Sequence, residues 1–264
     1  KKLFLLSKSK NQKLQILVPR PTGERFRGKS DILYLEKSAF PRFIVQKSKI
    51  NSKMKLLDRL EKNSLKLSNR TAIEFSNKSI DYSTFWKEIL KLANYFLKKK
   101  LNKICIVESE QDEHFFYTAM FASLLSGATY IPINSNFPKK RLDEVIKICK
   151  ADVVITQRKI KTKLVKIINP LFFKKLKNIK NLPKISINND AYIIFTSGST
   201  GKPKGVRISR ESLDSYVDWV TKKIFFEKNF RCSQHAGIGF DLSVVDIFGT
   251  LCSGGTLLPI NKKM

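Results

Sequence analysis

The segment that most restricts this chain's fold is an apolar run that empties into a glycine-rich loop: Ala191-Tyr-Ile-Ile-Phe195, then Thr196-Ser-Gly-Ser-Thr-Gly-Lys-Pro-Lys-Gly205. A short apolar run bounded by turn residues reads as a buried strand. In the loop, Gly198, Gly201 and Gly205 permit backbone conformations and close approaches that a side chain forbids. Its amides and the hydroxyls of Thr196, Ser197, Ser199 and Thr200 suit wrapping a pyrophosphate, and Lys202 and Lys204 add positive charge. A flexible surface loop shares this composition but explains neither its order nor the apolar strand that feeds it. A Walker A loop, Gly-x-x-x-x-Gly-Lys-Ser/Thr, does not fit. Thr196 stands five residues before Gly201, Pro203 follows Lys202, and Val206-Arg-Ile-Ser209 reads as a strand where a helix should start.

Upstream, helical and strand patterns alternate. Phe85, Trp86, Ile89, Leu92, Ala93, Phe96 and Leu97 recur at helical spacing and predict an amphipathic helix over 83–100. Lys103–Val107 reads as a strand, 111–125 as a helix stopped by Gly127, and Thr129–Ile133 as a strand. A helix with Pro138 in its first turn is expected to run to about Lys150, followed by a strand at 152–156. This alternation predicts an α/β fold: parallel sheet layers flanked by helices, with ligands at the carboxyl ends of the strands. Residues 157–189 are lysine-rich with little periodicity and read as a long, partly helical connection, and Thr256–Ile260 reads as a final strand. Residues 1–53 carry 14 basic and 3 acidic residues, with Pro19, Pro21 and Pro41 interrupting any helix, and are left unassigned. Organised patterning begins at Met54, which gives a division into 1–53 and 54–264.

The formal net charge of +29 raises nucleic acid or an anionic surface as a partner. The 51 basic residues are 40 Lys and 11 Arg spread along the chain, whereas reading of base edges favours the planar Arg fork. With no zinc-finger spacing or RNA-binding aromatic signature, no nucleic-acid partner is expected. Cys105, Cys149, Cys232 and Cys252 form no C-x-x-C pair and no zinc spacing, which suits free thiols and a cytoplasmic location. No apolar run reaches the ~18 residues of a membrane span. The apolar stretch at Leu3–Leu6 is 4 residues long, short of the ~7 of a secretory leader. Lys1 in place of Met and the stop soon after Ile260 suggest part of a longer protein.

The loop resembles the phosphate-binding signature of the adenylate-forming superfamily, which includes acyl-CoA synthetases, luciferases and the adenylation domains of nonribosomal peptide synthetases. The usual form is Thr-Ser-Gly-Ser/Thr-Thr-Gly-x-Pro-Lys-Gly, and this chain matches it throughout. Leu124-Leu-Ser-Gly-Ala-Thr-Tyr-Ile-Pro-Ile-Asn134 and Phe137-Pro-Lys-Lys-Arg-Leu142 resemble two further family segments, so the likeness runs from about Met54 to Leu258. Asn134 stands for the usual Asp, and the family's Gly turn is missing around Lys100–Lys103.

Phe240-Asp-Leu-Ser-Val-Val-Asp-Ile-Phe248 is similar to the Phe-Asp-x-Ser-Val-x-Glu-Ile-Phe motif of amino-acid-activating members, with Asp246 for Glu as in D-alanine–carrier protein ligases. The resemblance implies that Asp241 binds a substrate α-ammonium group, and that Leu242 and Val245 line a pocket for a small or medium side chain. Asp at this position also suits plain capping of the helix from Ser243. His235 falls where the family is often aromatic, and His114 reads as a mid-helix surface residue; neither is given a catalytic role.

The resemblance implies attack of a carboxylate on the α-phosphate of Mg-ATP, giving aminoacyl-AMP and pyrophosphate. Transfer to the phosphopantetheine thiol of a carrier protein follows. Thr196, Ser197, Gly198, Ser199, Thr200, Gly201 and Lys204 would hold the phosphates. The family's adenine-stacking segment, its Mg2+-coordinating Glu, its ribose-binding Asp and its catalytic Lys find no match here, so no catalytic residue is assigned, the Mg2+ ligand is expected downstream, and the chain is expected to be silent alone. An acyl-CoA or aryl acid ligase and a non-catalytic remnant remain as alternatives.

Overall fold

The computed structural model describes residues 54–108, 114–179, 182, 188–197, 203–224 and 229–260, and before them the backbone of three short strands. Those three, β1 (Leu6–Lys8), β2 (Leu14–Ile16) and β3 (Leu33–Leu35), pair antiparallel.

The main sheet is built from β6 (Lys103–Val107), β7 (Thr129–Ile133), β8 (Val153–Ile155), β9 (Lys166–Ile168) and β10 (Asp190–Ser197), all parallel. A sixth strand, β11 (Pro203–Ser209), lies antiparallel on β10, and the order is β11-β10-β7-β6-β8-β9. Alternate residues feed two cores, as the strand period requires. Cys105, Val107, Ile131, Ile133 and Val154 pack with α4 (Lys139–Cys149) on one face, and Ile104, Ile106, Tyr130, Val153 and Ile155 belong to the larger core on the other.

A second sheet has the order β12-β13-β4-β5, from β4 (Thr71–Glu74), β5 (Ser79–Asp81), β12 (Arg231–Gln234) and β13 (Thr256–Pro259). Helix α2 (Tyr82–Lys98) buries the predicted stripe except Leu97, which is half-buried, and Asp81 caps it by accepting from the Thr84 amide at 2.7 Å. Helix α3 (Phe115–Leu125) is buried at every position. A helix that is apolar all round must be enclosed on every side; α3 packs on β6, β7 and α2, and reaches the second sheet through a Tyr117–Gln234 hydrogen bond.

Several elements depart from the sequence reading. His114 is the residue before α3 rather than mid-helix, with Nε2 2.6 Å from Glu88 Oε2; 111–113 lie outside the described residues. Among the described residues, the 157–189 connection holds a strand the sequence reading did not anticipate, β9, beside a six-residue 3-10 helix, Pro170–Lys175. Strands β5 and β11 are antiparallel. An unforeseen helix, α1 (Lys55–Lys66), buries Leu56, Leu57 and Leu60, and its first amides, at Lys55 and Leu56, donate at 2.8 Å to Asp214 of α5 (Arg210–Lys223). No helix of the described residues is long and apolar enough to cross a membrane.

The missing glycine after α2 has a structural answer. Lys100 takes φ 52°, and Lys150 after α4 takes φ 53°; both are left-handed positions past a helix end where glycine carries no steric cost. Replacing Lys100 by Gly is expected to stabilise the chain by about 0.5–1 kcal/mol, because relief of the left-handed strain exceeds the added unfolded-state entropy. Urea unfolding with an unchanged m-value checks this.

Candidate functional site

The phosphate-type loop is the connection of a β-hairpin. Strand pairing runs from Asp190 opposite Ser209 to Ser197 opposite Pro203, so 198–202 bridge the tip. Gly198, Ser199, Thr200, Gly201 and Lys202 lie outside the described residues, and Ser197 is described only as backbone. Thr196 and Lys204 are cross-strand partners; both are exposed, with Thr196 Oγ1 3.5 Å from the Lys204 carbonyl oxygen. Gly205 also meets a packing demand that the sequence did not show. It sits opposite Phe195, where a Cβ would come within 3.1 Å of the Phe195 ring and 3.0 Å of Ile193, so this glycine seats a cross-strand aromatic.

Arg210 fixes the base of the hairpin. It is 7% exposed, and its guanidinium donates to the carbonyls of Asn188 (2.7 Å), Leu124 (2.9 Å) and Ala128 (2.7 Å). One charge thereby satisfies the last turn of α3, the start of β7 and the approach to β10. Burial lowers its pKa to about 10, against the raising influence of Asp190. Asp190 also accepts from Arg207 at 2.7 Å, on the neighbouring strand.

The Asp241 segment reaches the carboxyl end of the same sheet through Asn134. Its Oδ1 accepts from the Gly239 amide at 3.0 Å, and a Cβ on Gly239 would sit 2.9 Å from that oxygen. Asn134 thus ties the end of β7 to the chain leaving β12. The sequence reading set this residue aside as a departure from its family; the signal was present, as a short amide at a strand end facing a glycine-rich turn.

Asp241 is exposed and accepts from the Leu242 amide at 2.9 Å, while its carbonyl accepts from Val244. Burial first, then the charge of Asp241, raises the pKa of Tyr192; the same two influences, joined by Asp246, raise that of Tyr216. The carboxylate therefore stands near two phenols, and Tyr192 stacks on Tyr130 at 5.3 Å. Leu242 is half-buried, and Val245 packs beside Val220 and Cys232. His235 is exposed, 3.2 Å from Ser233 Oγ. The helix after Asp241 includes a π-turn at Val245–Gly249, a distortion frequent at functional sites.

That turn carries Asp246, which is 2% exposed. Burial pushes its carboxyl up to about 7, opposed by a hydrogen bond from the His235 amide. Tyr117 donates to Gln234, whose Nε2 donates to the Ala236 carbonyl at 2.8 Å. Burial, and then the charges of Glu108 and Asp246, raise the pKa of Tyr117. The charges of Glu108, at the end of β6, and of Asp246 thus both act on one buried phenol. All four cysteines are free and buried, and burial lifts the Cys149 and Cys232 thiols to about 11. Among the described residues no three His, Cys, Asp or Glu side chains converge as metal ligands.

Comparison with known proteins follows this geometry. A family model described as AMP-binding enzyme matches residues 60–263. A D-alanine–D-alanyl carrier protein ligase of Listeria monocytogenes is 27% identical over 222 residues, covering 79% of this chain and 43% of the ligase. Surfactin synthase subunit 1 of Bacillus subtilis is 28% identical over 209 residues, covering 75% of this chain and 6% of that protein. The N-terminal subdomain of Klebsiella oxytoca NpsA superposes with a TM-score of 0.67 at 24% identity, covering 77% of this chain and 54% of that one. The chain spans less than half the length of the ligases it matches.

Asp246 predicts a pH dependence. The folded chain keeps this proton to about pH 7, whereas the ordinary aspartate value is 3.8, so the folded state binds more protons between the two. Stability is therefore expected to fall as pH rises from about 4 to about 7, and to level off above that. Asp246→Asn is expected to flatten that contribution and to be more stable than the parent at pH 8 by on the order of 2 kcal/mol. The difference between the two chains in unfolding free energy against pH reads it directly.

Proposed function

The chain belongs to the AMP-binding enzyme family, and on that premise we propose that it supplies the phosphate-holding and amine-recognising parts of a ligase that activates an amino acid as its adenylate and passes it to a carrier thiol. The observation that carries the reading is the joining of two segments at one sheet end. The β10–β11 hairpin presents the Thr196–Gly205 loop, and Asn134 binds the Asp241 segment to the neighbouring strand.

In this reading ATP is the cofactor. The described residues suit it: Thr196 and Lys204 offer an exposed hydroxyl and ammonium side by side at the hairpin end. Ser197, Gly198, Ser199, Thr200 and Gly201 complete the cradle, and its amides neutralise charge on the departing pyrophosphate. Asp241 holds the substrate ammonium with a charge-assisted hydrogen bond, and Leu242 and Val245 bound the side-chain pocket. Positioning of the carboxylate against the α-phosphate supplies the rest. Mg2+ is expected on residues other than these. The similarity to the Listeria D-alanine–D-alanyl carrier protein ligase favours an amino acid and a carrier protein. An aryl or fatty acid substrate is the second reading, in which Asp241 meets no amine.

ATP–pyrophosphate exchange tests it. The 264-residue chain alone is expected to stay at background with every acid. A polypeptide that also carries the family's remaining parts is expected to exchange with a small amino acid, and Asp241→Ala is expected to lower kcat/KM for that amino acid by roughly 100-fold. Exchange supported by aryl or fatty acids, unchanged in Asp241→Ala, would establish the second reading instead.

A further inference from the structure

The edge of the main sheet opposite the hairpin has a composition unlike the rest of the chain. Residues 153–189 hold 10 Lys and Arg and no Asp or Glu, although the whole chain has 22 acids. A general lysine bias leaves acids in place; here they are excluded. Eight of the cations are described, and all are exposed: Arg158, Lys159, Lys161, Lys163 and Lys166 run into and along β9, and Lys174, Lys175 and Lys177 follow on the 3-10 turn and beyond. None of the eight joins any of the described ion pairs. Glu88, at the border, is held by His114 at 2.6 Å.

Apolar anchors and an open backbone lie within this field. Leu164, Leu171 and Phe172 are 43%, 56% and 40% exposed. A hollow of about 80 Å³ at Leu171 is lined by Pro170, Phe173 and Leu176 and also by Glu88, His114 and Gln157. Among the described residues, strand β9 pairs with β8 alone. The Ile168 carbonyl accepts from Thr156, on the β8 side, so by strand alternation the amide and carbonyl of Ile167 face outward. Lysine on an edge strand protects against aggregation, but protection requires neither eight cations nor the removal of every acid.

We propose that the β9 edge docks an acidic, extended segment of a partner protein, which adds to the sheet as a further strand. Its carboxylates meet the lysines, its backbone pairs with Ile167, and its aliphatic residues pack on the exposed Leu164 and Leu171. A lipid surface would satisfy the lysines but leave the strand edge to water. Nucleic acid is disfavoured because seven of these eight cations are lysines and the one arginine, Arg158, is engaged by the Phe137 carbonyl at 3.0 Å, so the guanidinium fork that reads base edges is not on offer. The surface lies roughly 24 Å across the sheet from the hairpin, so it is independent of the phosphate loop.

The test uses a fluorescein-labelled peptide of about eight residues alternating Glu and Val. Anisotropy is expected to show binding that weakens by about tenfold or more between ~50 and ~300 mM NaCl. Lys161→Glu/Lys163→Glu/Lys166→Glu is expected to abolish it. N-methylation of alternate peptide amides, which removes pairing donors without altering the protein, is expected to weaken binding by about tenfold or more, as is Ile167→Pro with melting unchanged. Hydrogen exchange should show new protection at the Ile167 amide. Equal binding by the N-methylated peptide would overturn the proposal in favour of plain charge attraction. Phosphatidylserine vesicles or duplex DNA binding where the peptide does not would overturn it in favour of a lipid or nucleic-acid surface, and absence of peptide binding would overturn it outright.

Discussion

The pairing of one antiparallel strand to a parallel sheet governs this structure. Had β11 been replaced by the helix that follows a Walker A loop, the glycine-rich segment would lie over a helix N-terminus. Instead Ser197 pairs with Pro203, and the loop is held at both ends by the strand ladder. The ladder needs a fixed base, which Arg210 provides by binding three carbonyls from three parts of the chain. Burial of a guanidinium is costly unless its donors are satisfied. Here the desolvation is offset because the guanidinium nitrogens donate to the carbonyls of Asn188, Leu124 and Ala128. The hairpin is therefore anchored by a group whose removal takes a hydrogen bond from each of three carbonyls.

A second constraint acts where the two sheets meet. Helix α3 is apolar on all sides and can exist only between them, yet Tyr117 brings a phenol into that space, where it meets Gln234. Glu108 and Asp246 bring carboxyls to the same region, and burial raises the Asp246 pKa to about 7. Partly charged networks of this kind are weak contributors to stability but demanding in geometry. They bear on function because Asp246 accepts from the amide of His235, in the chain that continues to Asp241. Asn134 holds the same stretch from the first sheet. The carboxylate proposed to meet substrate is thus positioned from both sheets.

Much of this was legible in the residues. The stripe of α2, the runs at β6, β7 and β8, and the run of β10 into its loop follow from period and breakers alone, because burial there is one-sided or complete. Sequence reasoning lost α1, whose N-terminus is capped by Asp214, more than 150 residues away. It could not see that Gly205 faces Phe195, because a glycine demanded by a facing ring and one demanded by an anion look alike in one dimension. It passed over Asn134 for a related reason: the meaning of an amide at a strand end depends on what folds against it. It expected a partly helical connection at 157–189 because lysines at exposed edge positions conceal the period of a three-residue strand such as β9.

The central claim is that the hairpin connection at the carboxyl end of the sheet is where this chain holds phosphate. Titration of the isotopically labelled chain with pyrophosphate, followed by amide chemical shifts, measures this without requiring turnover. The account predicts saturable shifts concentrated at Thr196–Gly205, with smaller ones at Asn134 and Gly239, and none at Lys166–Ile168. Shifts confined to the lysine-rich β9 edge, or none at the hairpin at saturating pyrophosphate, would contradict it.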